Sequence, residues 1–187
     1  LPIGPWNSYA AKRMREKHPE LLRRIGKDGY IDPENTGTAA YIAAICAEIV
    51  RKYDVDGIHL DYIRYPDAWK MPANRARCRE NITRIVRAVN MAIKQEKPWV
   101  MLSCSPVGKH DDLTRFSSRG WNARTTVAQD AQQWLKEGLM DAEFPMIYFR
   151  GDNFYPFALD WQENANGRII APGLGIYFMH PSEGRWN

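Results

Sequence analysis

Apolar residues recur along this chain with two periods. Within residues 38–53, Ile42, Ile45, Cys46 and Ile49 fall at i, i+3, i+4 and i+7, which predicts a helix with one apolar stripe. Within 74–95, Ile82, Ile85, Val86, Val89 and Ile93 predict a second. A third helix is predicted over 125–137, with Val127, Ala131, Trp134 and Leu135 inward, and short helices over 10–17 and 156–164. Between the longer helices the pattern changes to short apolar runs at 55–60, 99–105, 142–149 and 168–171. The last run resumes over 174–178 after Pro172-Gly173. These runs read as strands. Residues 1–28 read as irregular to helical and polar, and 29–36 as a loop with turn residues.

Strands alternating with helices of this length predict βα units, a parallel sheet and right-handed crossovers. A closed (β/α)8 barrel needs eight of each in typically about 250 residues. The 187 residues carry four such strands. The expected fold is therefore α/β, TIM-barrel-like, a single domain over 1–187 that forms an incomplete barrel of about four βα units. A small open α/β domain is the alternative. No glycine-rich phosphate loop follows any strand, so nucleotide-binding doubly wound folds lose ground.

The run at 55–60 leads into Asp61-Tyr62-Ile63-Arg64-Tyr65-Pro66. Side chains alternate along a strand, so Ile58 and Leu60 share one face and Gly57, His59 and Asp61 the other. A carboxylate ending a polar face is what a barrel strand delivering a catalytic group would show. The same spacing suits an Asp61 that caps the following loop or pairs with Arg64.

Composition narrows the partners. Aromatic residues make up 12%, with seven Trp and nine Tyr, which fits sugar stacking and equally a large core. The net charge of +4 is concentrated between Lys12 and Lys27, and no nucleic-acid module accompanies it, so no nucleic-acid partner is expected. Cys46, Cys78 and Cys104 are too few and too scattered for a disulfide framework or a zinc motif. His18, His59, His110 and His180 lack metal-ligand spacing, and neither metal nor cofactor is expected. No Gly-x-Ser-x-Gly elbow surrounds Ser105, which argues against a serine hydrolase. No membrane span or signal peptide is read, and the abrupt start at Leu1-Pro2-Ile3 suggests an excised or processed piece.

Tyr53 to Pro66 resembles the signature of the glycosyl-hydrolase-like 10 family, bacterial barrel proteins of the cell envelope. Further segments are similar to that family in the same order: His18-Pro19-Glu20-Leu21, Ile31-Asp32-Pro33-Glu34-Asn35, Leu102 through Gly108, and Trp134 through Gly138 with Asp141 and Pro145 through Tyr148. The family often has a second aspartate directly after the strand-end one, where this chain has Tyr62. The resemblance implies that the strands present are the fourth to the seventh of a barrel. It also implies a glycan partner and an extracytoplasmic setting.

Glycoside hydrolysis uses two carboxyl groups, about 5–5.5 Å apart for retention and about 6.5–9.5 Å for inversion. Asp61 is the expected nucleophile or base, and Asp152, in the loop after Tyr148, the candidate acid. Glu143 at the start of its strand suits a buried ion pair, and Asp111 and Asp112 suit solvated loop positions. His59, Arg64, Tyr65, Ser105, Trp121 and Tyr148 are candidate substrate-binding residues. Four of them have a structural alternative: core for His59, Trp121 and Tyr148, a surface salt bridge for Arg64. The expected function is hydrolysis of a glycan, with a non-catalytic carbohydrate-binding or scaffold module as the alternative. Exposed sheet edges would also favour self-association.

Overall fold

The computed structural model describes residues 1–116 and 118–179. Its centre is a four-stranded parallel sheet of β4 (Gly57–Leu60), β5 (Met101–Cys104), β6 (Ala142–Glu143) and β8 (Ile169–Ile170), in the order β4-β5-β6-β8. His59 pairs with Ser103, Ser103 with Ala142, and Ala142 with Ile169. Leu60, Cys104, Glu143 and Ile170 form the neighbouring row. Leu102, Cys104 and Glu143 are fully buried beneath helices. The opposite face is uncovered, and Gly57, His59, Met101 and Ile169 are exposed on it.

The predicted strand over 142–149 is split into β6 and β7 (Met146–Ile147) at Phe144-Pro145. Proline has no N–H for the ladder, so regular pairing stops there. Backbone bonds still carry the sheet past it: Phe144 N donates to Cys104 O at 2.9 Å and Met146 N to Pro106 O at 2.8 Å. β7 then pairs in parallel with β9 (Gly173–Leu174). Beyond β9 the predicted strand over 174–178 gives way to a 3-10 turn over Ile176–Met179. Gly108 passes so close to this junction that a Cβ there would sit 2.4 Å from Met146 O.

Helix α3 (Arg75–Glu96) follows its predicted stripe. Asn74 caps it by accepting from Arg77 N at 3.0 Å, and Ile82, Ile85, Val86, Val89 and Ile93 are all fully buried. Each such side chain contributes about 1.5–3 kcal/mol relative to exposure. Helix α2 (Gly37–Lys52) has the predicted length but a different inner face. Ala39, Ala43, Cys46, Ala47 and Val50 face the core, while Ile45 and Ile49 remain 41% and 36% exposed. Small side chains let α2 pack closely on α3, and that contact selects the neighbouring stripe over the bulkier one.

Two regions depart from the pattern. The first 31 residues hold α1 (Tyr9–Lys17) and a three-stranded antiparallel sheet of β1 (Pro2–Pro5), β3 (Asp28–Ile31) and β2 (Leu22–Ile25). The β2–β3 hairpin turns through Gly26-Lys27, with Gly26 at φ +59°. The helix predicted over 125–137 is two helices, α4 (Ala123–Thr126) and α5 (Ala131–Lys136), separated by a break in which Ala128 has φ +55°. The break serves other elements. Val127 O accepts from Tyr65 N at 2.9 Å. The fully buried Gln129 side chain accepts from Val107 N at 2.8 Å and donates to Ile63 O at 3.2 Å. Helix α6 (Tyr155–Glu163) matches its predicted place, and its Trp161 Nε1 donates to Gly108 O at 2.7 Å.

Gln129→Ala removes the side-chain partner of two buried backbone groups, Val107 N and Ile63 O. At about 1–3 kcal/mol for each orphaned group, the substitution is expected to lower stability by roughly 2–6 kcal/mol. Urea unfolding followed by circular dichroism measures this, and a loss below about 0.5 kcal/mol would show that neither bond matters.

Candidate active site

Three groups of side chains collect at the C-terminal ends of the parallel strands. The first lies on the uncovered face. His59 projects from β4 between Ser103 of β5 and Ser105 just beyond it, with Nδ1 2.9 Å from Ser103 Oγ and Nε2 2.8 Å from Ser105 Oγ. Phe144 tilts against the imidazole, ring centroids 5.7 Å apart. Ser103 Oγ also lies 3.5 Å from Ile58 O. A hydroxyl donating to that carbonyl accepts from His59 Nδ1–H, which leaves Nε2 to accept from Ser105 O–H. In that arrangement Ser105 turns only lone pairs outward, toward a donor such as a sugar hydroxyl.

The second group is the turn after β4. Asp61 is exposed and accepts from Tyr62 N at 2.8 Å. Tyr62 has φ +54°, an uncommon conformation for a bulky residue. Arg64 is buried, its guanidinium 4.1 Å over the Tyr62 ring, and it pairs with Asp67 at 3.3 Å. The Asp61–Arg64 pair that the spacing allowed is thus replaced by Arg64–Asp67. Tyr65 does not line a surface. It is fully buried, its hydroxyl accepts from Asn81 Nδ2 at 3.1 Å, and Trp69 packs edge-on against its ring. Apolar demand beneath the turn makes it a core residue.

The third group surrounds a depression of about 430 Å³ lined by Lys109, Arg119, Trp121, Tyr148, Phe149 and Arg150, among others. Trp121 is 48% and Tyr148 40% exposed, so both present ring surface. The Arg64 guanidinium lies 6.0 Å from the Trp121 ring and links this depression to the Asp61 turn. Asp152 sits in the adjoining turn over Gly151–Asn153, but it lines a separate apolar hollow with Phe116, Tyr155 and Leu159. Among the described residues no hydrogen bond or ion pair joins Asp152 to Asp61. The other loop carboxylates are engaged: Asp111 with Arg124 at 2.9 Å, and Asp112 with Lys109 at 3.0 Å. His180 lies outside the described residues.

Glu143 is fully buried on the helix side of the sheet, beside Cys104. The expected ion pair is absent: among the described residues no cation reaches it, and both carboxyl oxygens lack a hydrogen-bond partner. Burial pushes its carboxyl well above the ordinary carboxylate range. Burial, with Glu143 beside it, also pushes the Cys104 thiol up. A neutral acid on the far side of the sheet from His59 is not a member of the candidate site.

The family described as Glycosyl hydrolase-like 10 matches residues 64–172, more than half of the chain. The chain belongs to this family. The glycosyl-hydrolase-like match takes in Ser105, Trp121, Tyr148 and Asp152, and begins just after Asp61. Among relatives, the chain is similar to glycosyl hydrolase YngK of Bacillus subtilis (strain 168), 26% identical over 84% of this chain and 36% of that protein. It is also similar to glycosyl hydrolase DigH of Escherichia coli (strain K12), 30% identical over 71% of this chain and 35% of that protein. The chain thus spans about a third of the length of the relatives it matches. Within this glycosyl-hydrolase-like chain, the residues that composition and spacing did not single out include Ser103, Lys109, Arg119, Gln129 and Arg150. Only Ser103 had a readable signal, since alternation along 101–105 puts it on the same face as Ser105.

The state of Glu143 has a measurable consequence. In the unfolded chain the carboxyl ionises near its ordinary value of about 4.5, and in the folded chain well above it. Between the two values the folded state binds more protons, so stability falls as pH rises from about 4.5 toward the folded value. Glu143→Gln removes that loss. The variant is expected to overtake the wild type as pH rises, by up to about 1.4 kcal/mol per pH unit within the window. Parallel stability–pH curves for the two chains would refute the buried neutral acid.

Proposed function

We propose that this chain is the glycan-facing sector of a (β/α)8 glycoside hydrolase, acting outside the cytoplasm on a polysaccharide such as peptidoglycan. The observation that carries the reading is the polar row His59, Ser103 and Ser105, with Asp61 at its end, on the uncovered face of a parallel sheet. Catalytic groups of barrel enzymes sit at this end of the strands. In this reading Asp61 is the nucleophile or base. Asp152 supplies the acid, provided the turn over Gly151–Asn153 brings its carboxyl within about 10 Å of Asp61 when a glycan binds. Ser105 accepts from a sugar hydroxyl, and Trp121 and Tyr148 stack on sugar rings. Arg64 acts through Tyr62 and Trp121, not by touching substrate.

A second reading, a carbohydrate-binding module without turnover, is favoured by one observation: Asp152 lines a different hollow from Trp121 and Tyr148. Peptidoglycan strands stripped of their peptide stems distinguish the two. Hydrolysis by the chain that is lost in Asp61→Asn is the expected result, with a drop of at least about 100-fold. Binding without hydrolysis in both chains would favour the module. Neither binding nor hydrolysis would overturn the glycan reading.

Self-association belongs to the same proposal. Among the described residues β4 pairs only with β5 and β8 only with β6, so both outer strands present unpaired backbone. Two copies meeting edge to edge would bring eight parallel strands together. Light scattering is expected to show a mass that rises toward the dimer with concentration; a monomer throughout would rule this out.

A further inference from the structure

We infer that two copies of this chain close into one eight-stranded barrel, with α6 of each copy packed on α1 and α2 of the other. The inference rests on the self-association reading above and names the surfaces that meet.

Each outer helix of the sector turns an apolar side away from its own copy. On α2 the inner stripe is Ala39, Ala43, Cys46 and Val50, and the stripe left outside carries Ile45 and Ile49. This outer side continues into a groove of about 350 Å³ beside α1 and β1, lined by Ile3, Met14, Ile31, Tyr41 and Ile45 among others. At the other edge, α6 faces its own sector through the buried Phe157 and Trp161, and through Asp160, which accepts from Gln132 Nε2 at 2.7 Å. Its outer side presents Tyr155, 76% exposed, and Leu159, 46% exposed. Large apolar side chains left in water at helical spacing mark a surface that meets another.

The order of elements fits these two sides together. In a (β/α)8 barrel the helices form a ring outside the strands. Helix α2 precedes β4 and α6 precedes β8, the two outer strands of the sheet. Setting β4 of one copy beside β8 of the other places α2 next to the partner's α6. Both helices lead into strands of a parallel sheet and so run in the same direction. Tyr155 and Leu159 then match Ile45 and Ile49, four residues apart on each helix, with Tyr155 entering the groove beside Ile45. The charges agree. Helix α1, on the rim of the groove, carries Lys12, Arg13, Arg15 and Lys17 against Glu16. Residues 151–163 carry Asp152, Asp160 and Glu163 and no Lys or Arg. A head-to-tail contact closes into a ring when its rotation returns to the start. Four strands are half of eight, so the ring closes at two copies through two identical seams. The uncovered face of each sheet becomes interior, and His59, Ser103 and Ser105 of both copies line one shared mouth.

Sedimentation velocity on the wild-type chain and two double variants tests this. Ile45→Glu/Ile49→Glu alters the α2 side alone, and Tyr155→Lys/Leu159→Lys the α6 side alone. All four positions are exposed, so both variants are expected to keep the wild-type circular dichroism spectrum. Each variant by itself is expected to dimerise at least about 100-fold more weakly than the wild type. Mixed in equal amounts, the two are expected to recover a dimer, because one seam of the mixed pair is wild-type and the other sets Glu against Lys. A wild-type dimer that both variants retain would overturn the helix seams while leaving edge pairing in place. Variants that dissociate and stay apart on mixing would overturn the head-to-tail arrangement. Oligomers growing beyond two copies would overturn closure. A wild-type monomer at every concentration would overturn this inference together with the self-association reading.

Discussion

The amide of Gln129 is the contact on which the mouth of this sheet depends. It accepts from Val107 N and donates to Ile63 O, and is fully buried. One side chain thereby ties the turn after β4, the exit of β5 and the break between α4 and α5. Tyr65 N to Val127 O adds a second tie between the same segments. Buried backbone groups without partners are costly, so the three loops cannot separate without exposing several at once. Asp61 and Arg64 lie within two residues of the tied Ile63, and Arg64 reaches the Trp121 ring at 6.0 Å. The left-handed Tyr62 and Ala128 on either side of it are held by the same bonds.

The two faces of the sheet divide the work. The covered face presents Leu102, Cys104 and Ile170 to the helices and tolerates Glu143 only as a neutral acid beside a thiol. The uncovered face presents His59 and the two serines, each with a hydrogen-bond partner before any ligand arrives. A network satisfied within the protein holds its groups in fixed orientations and is better prepared to receive a sugar than free side chains are. The uncovered face also exposes Met101, Phe144 and Ile169, which leaves apolar surface beside the polar row.

Family membership and geometry contribute different things. Membership places the chain among glycosyl-hydrolase-like proteins, and the match spans the strands, loops and aromatic residues from 64 to 172. Geometry distinguishes the residues within it. Tyr65 and Glu143 are packing residues, Asp111 and Asp112 are held by cations, and Trp121, Tyr148, Arg119 and Arg150 gather around one depression. Asp152 stays apart from that depression although its own turn contributes Arg150 and Asn153 to it.

Local periodicity was enough for α3, β4, β5 and α6, because the period of a helix or strand is a property of a few consecutive residues. It also identified the face carrying His59 and Asp61, since alternation is dictated by the backbone alone. The β2–β3 hairpin had a local signal in Gly26-Lys27, obscured by the paired arginines between Leu22 and Ile25. The rest required contacts between distant segments. Which of two adjacent stripes of α2 turns inward was decided by its packing on α3, and the break at 127–130 by bonds to Ile63, Tyr65 and Val107. The burial of Tyr65 depended on Asn81 and Trp69, and the gathering of Arg119 with Arg150 on the meeting of two loops. Periodicity carries which residues are apolar; only the folded chain decides which surfaces are left to meet a ligand.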